Sequence, residues 1–508
     1  MTIDSKRIAK NTFFMYIRMI IIMGVTFFTS RVVLDKLGID DYGLYNAVGG
    51  VVGMLSFITN TLANGTSRFI TFNLGTNNLE KLKLTFSTAI RSHFLLMIVL
   101  LLVLETAGLW FLNHKLVIAD SRLMAVQVVY QLSLLTMCFS ILQIPFSSTV
   151  IAHEDMKFYA YLSIFEAIAK LVVVYLLSIS TYDKLVVYAS LVAIVQFIVF
   201  MINMIFCRRH YIEAKSYRKF NSRLFKEIIS FSGWDVIAHL TIALRIQGSN
   251  ILINMFFRPS LVAAQAVANQ VTTALMNFVY QFTTALNPQI IKSYAVADYK
   301  GSQKLTLDAT ILVFDLVLII CLPMIFIIDP LLNLWLVEVP EMTVSFLRLA
   351  LIAQILGVFN NTLYAPMVAS GKLKMNSLFA LFIVLGQYVV LYFLFRTGND
   401  VLWLPMLATV TTVMHSLLIK PYILYKQIGY DLRALIRCYV SCFKVLVPSV
   451  ALSVGLASIL DKTLMHYLLL VCGIELIILV NSWVFLKRDI KIKVLVFAKS
   501  KLREKYRR

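Results

Sequence analysis

The chain has 508 residues, of which 60% are hydrophobic and only 14% charged, with a mean hydropathy of +0.82. A soluble domain would be about a quarter charged, so composition excludes an ordinary soluble protein. The formal net charge is +21, but the basic residues sit at the ends of apolar stretches rather than on one patch. That fits membrane topology and anionic lipid head groups, and no nucleic-acid partner is expected.

Crossing the ~30 Å hydrocarbon core takes about 20 apolar residues. Fourteen stretches qualify: 11–33, 44–72, 89–112, 123–150, 159–179, 185–206, 231–256, 262–286, 307–328, 342–369, 378–395, 401–424, 442–459 and 464–486. The predicted fold is therefore all-α, a polytopic bundle of about 14 transmembrane helices. The first span follows a basic start (SKRIAK) and lacks a short apolar core ending in a cleavage site, so it is expected to stay as a signal anchor.

The links alternate in charge. Segments 1–10, 73–92, 151–158, 207–230, 287–306, 371–377, 425–444 and 487–508 hold 33 of the 47 basic residues. The opposite links hold Lys36, Lys115, Arg122, Lys184, Arg258, Arg396 and Lys462. Lys and Arg accumulate on the cytoplasmic side, so both termini are predicted to be cytoplasmic.

Along the chain, each ionisable residue inside a span needs a reason, because it costs a few kcal/mol to insert. The first two spans carry Arg18, Arg31, the pair Gly49 and Gly53, and the stripe Asn60, Asn64 and Arg68 on one helix face. The glycine pair reads as close helix packing. Arg68 is either a ligand or a side chain snorkelling to the inner interface. Spans three to six carry Glu105, Pro145, Glu166 and Lys170, the last two spaced for a self-contained pair. The seventh span carries Asp235, His239 and Arg245, and the eighth Asn269, Thr273, Asn277 and Gln281 on one face. Later spans carry Asp315, Arg348, Lys420 and Glu475. Lys420 is expected to snorkel and Arg348 to be interfacial. Any of the intramembrane acids could bind a coupling proton or cation, and Asp235 is the preferred candidate.

The six cysteines include Cys438 and Cys442 one turn apart, but no second pair or His cluster accompanies them. No disulfide, metal or cofactor is expected. No G-x-x-x-x-G-K-[ST] occurs, and the longest outer loop, 329–341, is too short for a catalytic domain, so an enzyme is not expected.

The charged stretch 207–230 divides the first twelve spans six and six. The predicted domains are a six-helix half over 1–206, a cytoplasmic linker over 207–230, a second six-helix half over 231–424, two added helices within 425–486 and a basic tail over 487–508. The halves look related at an offset near 220 residues: 31–52 falls opposite 254–275, and the fourth span of each half has Pro145 or Pro366 near its inner end. Both halves start on the cytoplasmic side, so the pseudo-two-fold axis lies along the membrane normal. Transporters place substrate between such repeats. The offset sets Arg245 one turn from the counterpart of Arg18, aiming both at one central cleft.

The segments SRVVLDKLGIDDYGLYNAV (30–48), LANGTSRFITFNLG (62–75) and AHEDMKFYAYLSIFEAIAKL (152–171), with the six-six-two layout, carry a resemblance. The chain resembles the Wzx-type O-antigen and capsule flippases of the multidrug/oligosaccharidyl-lipid/polysaccharide superfamily. The resemblance implies a bacterial inner-membrane transporter working by alternating access. Its substrate would be an undecaprenyl-pyrophosphate-linked oligosaccharide, and its partners other polysaccharide-assembly proteins. Arg18, Arg31, Arg68 and Arg245, with Asn64, Asn269 and Asn277, then become the substrate-binding candidates. Guanidinium holds phosphate through paired hydrogen bonds, and amides both donate to and accept from sugar hydroxyls. The alternatives are a cation-coupled multidrug exporter of the same superfamily and a non-catalytic envelope scaffold.

Overall fold

The computed structural model describes residues 5–75, 78–153, 155–215, 220–231, 233–295, 297–459 and 464–485. Among these residues every regular element is helical and no strand occurs. In order they are α1 (Ser5–Leu37), α2 (Ile39–Gly53), α3 (Ser56–Gly75), α4 (Leu79–Lys115), α5 (Asp120–Ala152), α6 (Met156–Ile179), α7 (Lys184–His210), α8 (Ser222–Phe231) and α9 (Gly233–Ala243). A π turn, Leu244–Gly248, leads into α10 (Ser249–Phe256). Then follow α11 (Pro259–Ala295), α12 (Tyr299–Trp335), α13 (Thr343–Ser370), α14 (Lys374–Arg396), α15 (Trp403–Ile428), α16 (Leu432–Ile459) and α17 (Leu464–Phe485).

Among the described residues ten helices, α4 to α7 and α12 to α17, are long and apolar enough to cross a membrane. They coincide with ten of the predicted spans, and the chain is an all-α, multi-pass membrane protein. The other four predicted spans, 11–33, 44–72, 231–256 and 262–286, run along α1, α2 with α3, α9 with α10, and α11. Some side chains of those helices lie outside the described residues.

Local chemistry sets the helix ends. Asn78 starts α4 by accepting from Lys81 N at 3.0 Å, Asp183 starts α7 by accepting from Leu185 N at 3.0 Å, and Asp431 starts α16 by accepting from Arg433 N at 3.1 Å. Each satisfies an amide that a first turn leaves unpaired. Gly371 (φ 70°) and Gly429 (φ 84°) close α13 and α15 in the left-handed region, which costs a residue with a Cβ more than it costs glycine.

The chain forms two compact units. The first comprises Met1–Val267, Trp335–Thr343 and Phe395–Val401. Its central helix is α5, which packs against α2, α3, α4, α6 and α7. Ile70, Phe86, Phe146, Val150 and Phe200 fill one core cluster, and Leu162, Val173, Val195 and Val199 a second. Helix α9 packs on α3, and the π turn with α10 packs on α2. Glycines make that approach possible. A Cβ on Gly43 would lie 1.9 Å from the Pro259 carbonyl oxygen, and one on Gly53 would lie 2.8 Å from Gln247 Nε2. A Cβ on Gly49 would meet nothing within 4 Å. Close packing therefore uses Gly43 and Gly53, and Gly49 is not part of it.

The second unit comprises Ala268–Leu334, Val344–Leu394 and Leu402–Arg508. Its most buried span is α12. Phe314 on α12 lies 5.6 Å from Phe359 on α13, whose ring lies 4.3 Å from that of Tyr439 on α16. Tyr439 Oη donates to the Ser416 carbonyl at 2.8 Å. Asn481 Nδ2 donates to Ser449 Oγ at 3.0 Å, joining α17 to α16.

Candidate functional site

The predicted ligands divide between the two units. The first holds Arg18 and Arg31 on α1, Asn64 and Arg68 on α3, Asp235 on α9 and Arg245 in the π turn; the second holds Asn269 and Asn277 on α11. The side chains of Arg18, Asn64, Arg68 and Asp235 lie outside the described residues. Arg31 is exposed and makes no ion pair among the described residues. Arg245 is half-buried. Its π turn is held on α2 through the Gly53 contact with Gln247. Such turns insert one residue into the helix ladder and recur at functional sites. Asn269 is half-buried and Asn277 exposed, two turns apart on one face of α11.

Two cavities open inside the first unit. One, about 290 Å³, is lined by Thr26 and Thr29 from α1, Gln143 and Ser147 from α5, and Glu166 and Lys170 from α6. Lys170 Nζ donates to Glu166 Oε1 at 2.7 Å, the pairing that their spacing predicted. Behind these residues, Gln196 Nε2 donates to Gln143 Oε1 at 2.9 Å and Asn203 Nδ2 to Ser147 Oγ at 2.7 Å. These amides fix α7 on α5, because an amide at this depth needs a partner. The second cavity, about 410 Å³, carries hydroxyls from Tyr45, Thr59, Ser133, Thr136 and Ser140, with no charged residue among the described ones. Sequence reasoning did not identify either cavity. The only signal was single amides and hydroxyls scattered through apolar spans.

Side-chain contacts hold the ends of this unit. Arg122, just before the main part of α5, reaches two carboxylates. Its Nε donates to Asp41 Oδ1 at 3.0 Å and its Nη1 to Asp183 Oδ2 at 2.6 Å, and a second guanidinium nitrogen also reaches Asp41. Burial pushes the Asp41 carboxyl above its ordinary range, and the Arg122 charge offsets this only in part. At Asp183 burial also pushes upward. There the Arg122 hydrogen bond and charge, with the Leu185 and Val186 amides, outweigh it and hold the carboxyl below its ordinary range. At the other end, His153 Nε2 lies 2.5 Å from Glu213 Oε1, and the His153 ring stacks 4.2 Å from Tyr211.

In the second unit Lys420 is 1% exposed, so it does not snorkel. Its Nζ donates to Asn376 Oδ1 at 2.8 Å and lies 5.1 Å from the centre of the Tyr364 ring. The bend at Gly371 returns the chain so that Asn376 reaches it. Arg348 pairs with Asp329, nearly two turns before the end of α12.

No family model matches the chain, and no curated protein matches it. Solved structures do. The lipid II flippase MurJ, in an inward closed conformation, is similar with a TM-score of 0.68 at 12% identity, over 93% of this chain and 99% of that one. An inward-facing multidrug resistance MATE family transporter of the MOP superfamily is similar with a TM-score of 0.62 at 14% identity, over 82% and 94%. A MOP superfamily transporter from Pyrococcus furiosus, described by a binding pocket of reverse polarity, is similar with a TM-score of 0.59 at 13% identity, over 85% and 96%. The chain has the fold of MOP superfamily transporters. At these identities the likeness is one of fold, and fold alone does not name a substrate.

Proposed function

We propose that the chain is a flippase carrying an undecaprenyl-pyrophosphate-linked oligosaccharide across the bacterial inner membrane by alternating access, for O-antigen, capsule or exopolysaccharide assembly. The observation that carries the reading is the likeness to a protein named a lipid II flippase, over nearly the whole of both chains. The basic residues on predicted spans agree with it. Arg31 is exposed without an ion pair among the described residues, and Arg245 stands in a π turn. Arg18, Arg31, Arg68 and Arg245 bind the pyrophosphate in this reading, and Asn64, Asn269 and Asn277 bind sugar hydroxyls. Asp235 takes a coupling proton or sodium ion. Both termini are cytoplasmic, and the basic tail meets anionic lipids. Other polysaccharide-assembly proteins act with it.

Deleting the gene is expected to remove a surface polysaccharide and to accumulate its lipid-linked precursor on the cytoplasmic leaflet. Arg18→Ala and Arg245→Ala are expected to abolish glycan display at unchanged membrane abundance. The Lys variants are expected to restore only part of it, since Lys lacks the planar fork. Normal display in both alanine variants overturns the ligand assignment.

A second reading, a cation-coupled drug exporter, draws on the likeness to a MATE family transporter and on Glu166 in the polar cavity. It predicts that overexpression confers resistance to cationic dyes while deletion leaves glycan intact.

A further inference from the structure

A groove of about 1050 Å³ lies within the second unit, between α15 and α16, with Phe485 of α17 also lining it. Its walls are apolar, and Leu418 and Tyr422 on α15 and Ile436, Val440 and Val447 on α16 are all exposed. On α16 the lining runs from Leu432 to Pro448, about 24 Å of helix at the usual rise per residue. One bilayer leaflet with its head groups has nearly that depth, being half of ~40–45 Å. Part of this wall lies where apolar side chains are not expected. The charge pattern predicts that 425–444 is on the cytoplasmic side, beyond the hydrocarbon, yet Leu432, Ile436 and Val440 in that stretch are exposed. A concave apolar surface rimmed by polar residues marks a binding site.

The same end of the unit carries positive charge. Lys426 and Lys444 line the groove. Arg433, Arg437 and Lys444 are spaced i, i+4, i+11, so they share one edge of α16 beside the apolar wall. Helical side chains lean toward the N-terminus of their helix, which carries Lys444 back toward the turn that follows Lys426. Arg437 reaches Asp431 at 3.9 Å, whereas Lys426, Arg433 and Lys444 make no ion pair among the described residues. No acidic residue is among those that line the groove. Beyond Phe485 the chain continues as 486–508, with ten basic residues against two acidic ones. A segment of that charge is repelled by a basic edge. The complementary occupant is anionic at one end and apolar along the rest.

We infer that the groove holds one anionic phospholipid of the cytoplasmic leaflet, with its phosphate among Lys426, Arg433 and Lys444 and its acyl chains along the apolar wall toward Val447 and Phe485. Ammonium and guanidinium groups make charge-assisted hydrogen bonds to phosphate oxygens, and basic pockets between helices on the cytoplasmic side favour anionic head groups. One molecule then covers the exposed apolar wall and balances the basic edge. The inference goes beyond the flippase reading and does not depend on it.

The test measures lipid retention and no transport. Full-length protein is examined by native mass spectrometry with phosphatidylglycerol, or with phosphatidylcholine of the same acyl chains. In parallel, nanodiscs containing phosphatidylglycerol with a photoactivatable acyl chain map where the lipid lies. The expected result is one phosphatidylglycerol held about tenfold more tightly than phosphatidylcholine, with labelled peptides from 417–426 and 432–448. Lys426→Gln and Lys444→Gln are each expected to weaken retention about fivefold. Val440→Trp, which fills the groove without changing charge, is expected to reduce labelling of both peptides. Deleting 486–508 is expected to leave retention unchanged. Gel-filtration profiles matching the wild type establish that the variants fold. Equal retention of the two lipids, undiminished retention in the double Lys426→Gln/Lys444→Gln variant, or labelling confined to other helices overturns the site. Retention that rises when 486–508 is removed identifies the tail as the occupant, and tighter retention of undecaprenyl phosphate than of phosphatidylglycerol identifies a carrier-lipid site; either also overturns it.

Discussion

Single atoms decide which glycine of α2 matters. A methyl on Gly43 would stand 1.9 Å from the Pro259 carbonyl oxygen, a backbone group that cannot swing aside, whereas a methyl on Gly49 would enter open space. Gly43→Ala is therefore expected to cost about 1–3 kcal/mol, the usual range for overpacking. Gly49→Ala is expected to stay within about 0.5 kcal/mol. Thermal unfolding of purified protein in one detergent separates them, and equal melting temperatures for the two variants would contradict the packing. Tyr130 makes a comparable point. Its hydroxyl donates at 2.7 Å to the Leu104 carbonyl, at the start of the π turn Leu104–Gly108. Tyr130→Phe removes this bond while the Leu104 carbonyl keeps the Leu109 amide as a donor, and a loss of about 0.5–1.5 kcal/mol is expected in the same assay.

Arg122 works at the level of elements: from the first turn of α5 it ties the start of α2 to the link that precedes α7. Its two acids respond to pH in opposite senses. Asp183 is held below its ordinary value of 3.8, so its contribution is present above that pH and disappears as pH falls through the lowered value. Asp41 is raised above 3.8, so its contribution is present below that pH and is lost as pH rises through the raised value. The two slopes partly cancel in the wild type. Asp183→Asn removes the Asp183 slope and one of the charges that raise Asp41, and burial still holds Asp41 above 3.8, so stability should fall as pH rises from there through the raised value. Melting temperature measured across that range checks this, and a profile parallel to the wild type would refute it. Burial of Lys420 is another property of element packing. Its position near a predicted helix end favoured snorkelling, but the turn at Gly371 and the adjacent α14 place Asn376 over it.

At the scale of the whole molecule, the distribution of basic residues predicts a membrane orientation that labelling can test. Single cysteines in place of Asp120 and Asp400, in a background without native cysteines, should label from outside intact cells. One in place of Lys374 should label only after lysis. External labelling at 374 would invert the orientation. The fold allows both a flippase and an exporter. The fate of surface glycan on gene deletion distinguishes them, because fold constrains how the helices move more than what they carry.

Much of the architecture could be read from local sequence. Hydropathy over about 20 residues is a property of consecutive positions, so α4 to α7 and α12 to α17 stand where apolar runs placed them. The Glu166–Lys170 pair was equally legible, since one helical turn fixes its geometry. The candidate site was legible only as a set of residue types. Arg31, Arg245, Asn269 and Asn277 mark themselves as polar groups in apolar runs, but no local rule states which side chains meet. Arg122 finds Asp41 and Asp183 across 81 and 61 residues, and Lys420 finds Asn376 across 44. The sequence by itself determined the solvent and the helices, because both depend on neighbours along the chain. Only the tertiary structure decided which polar groups are paired and which glycines are crowded, because those depend on close packing between distant segments.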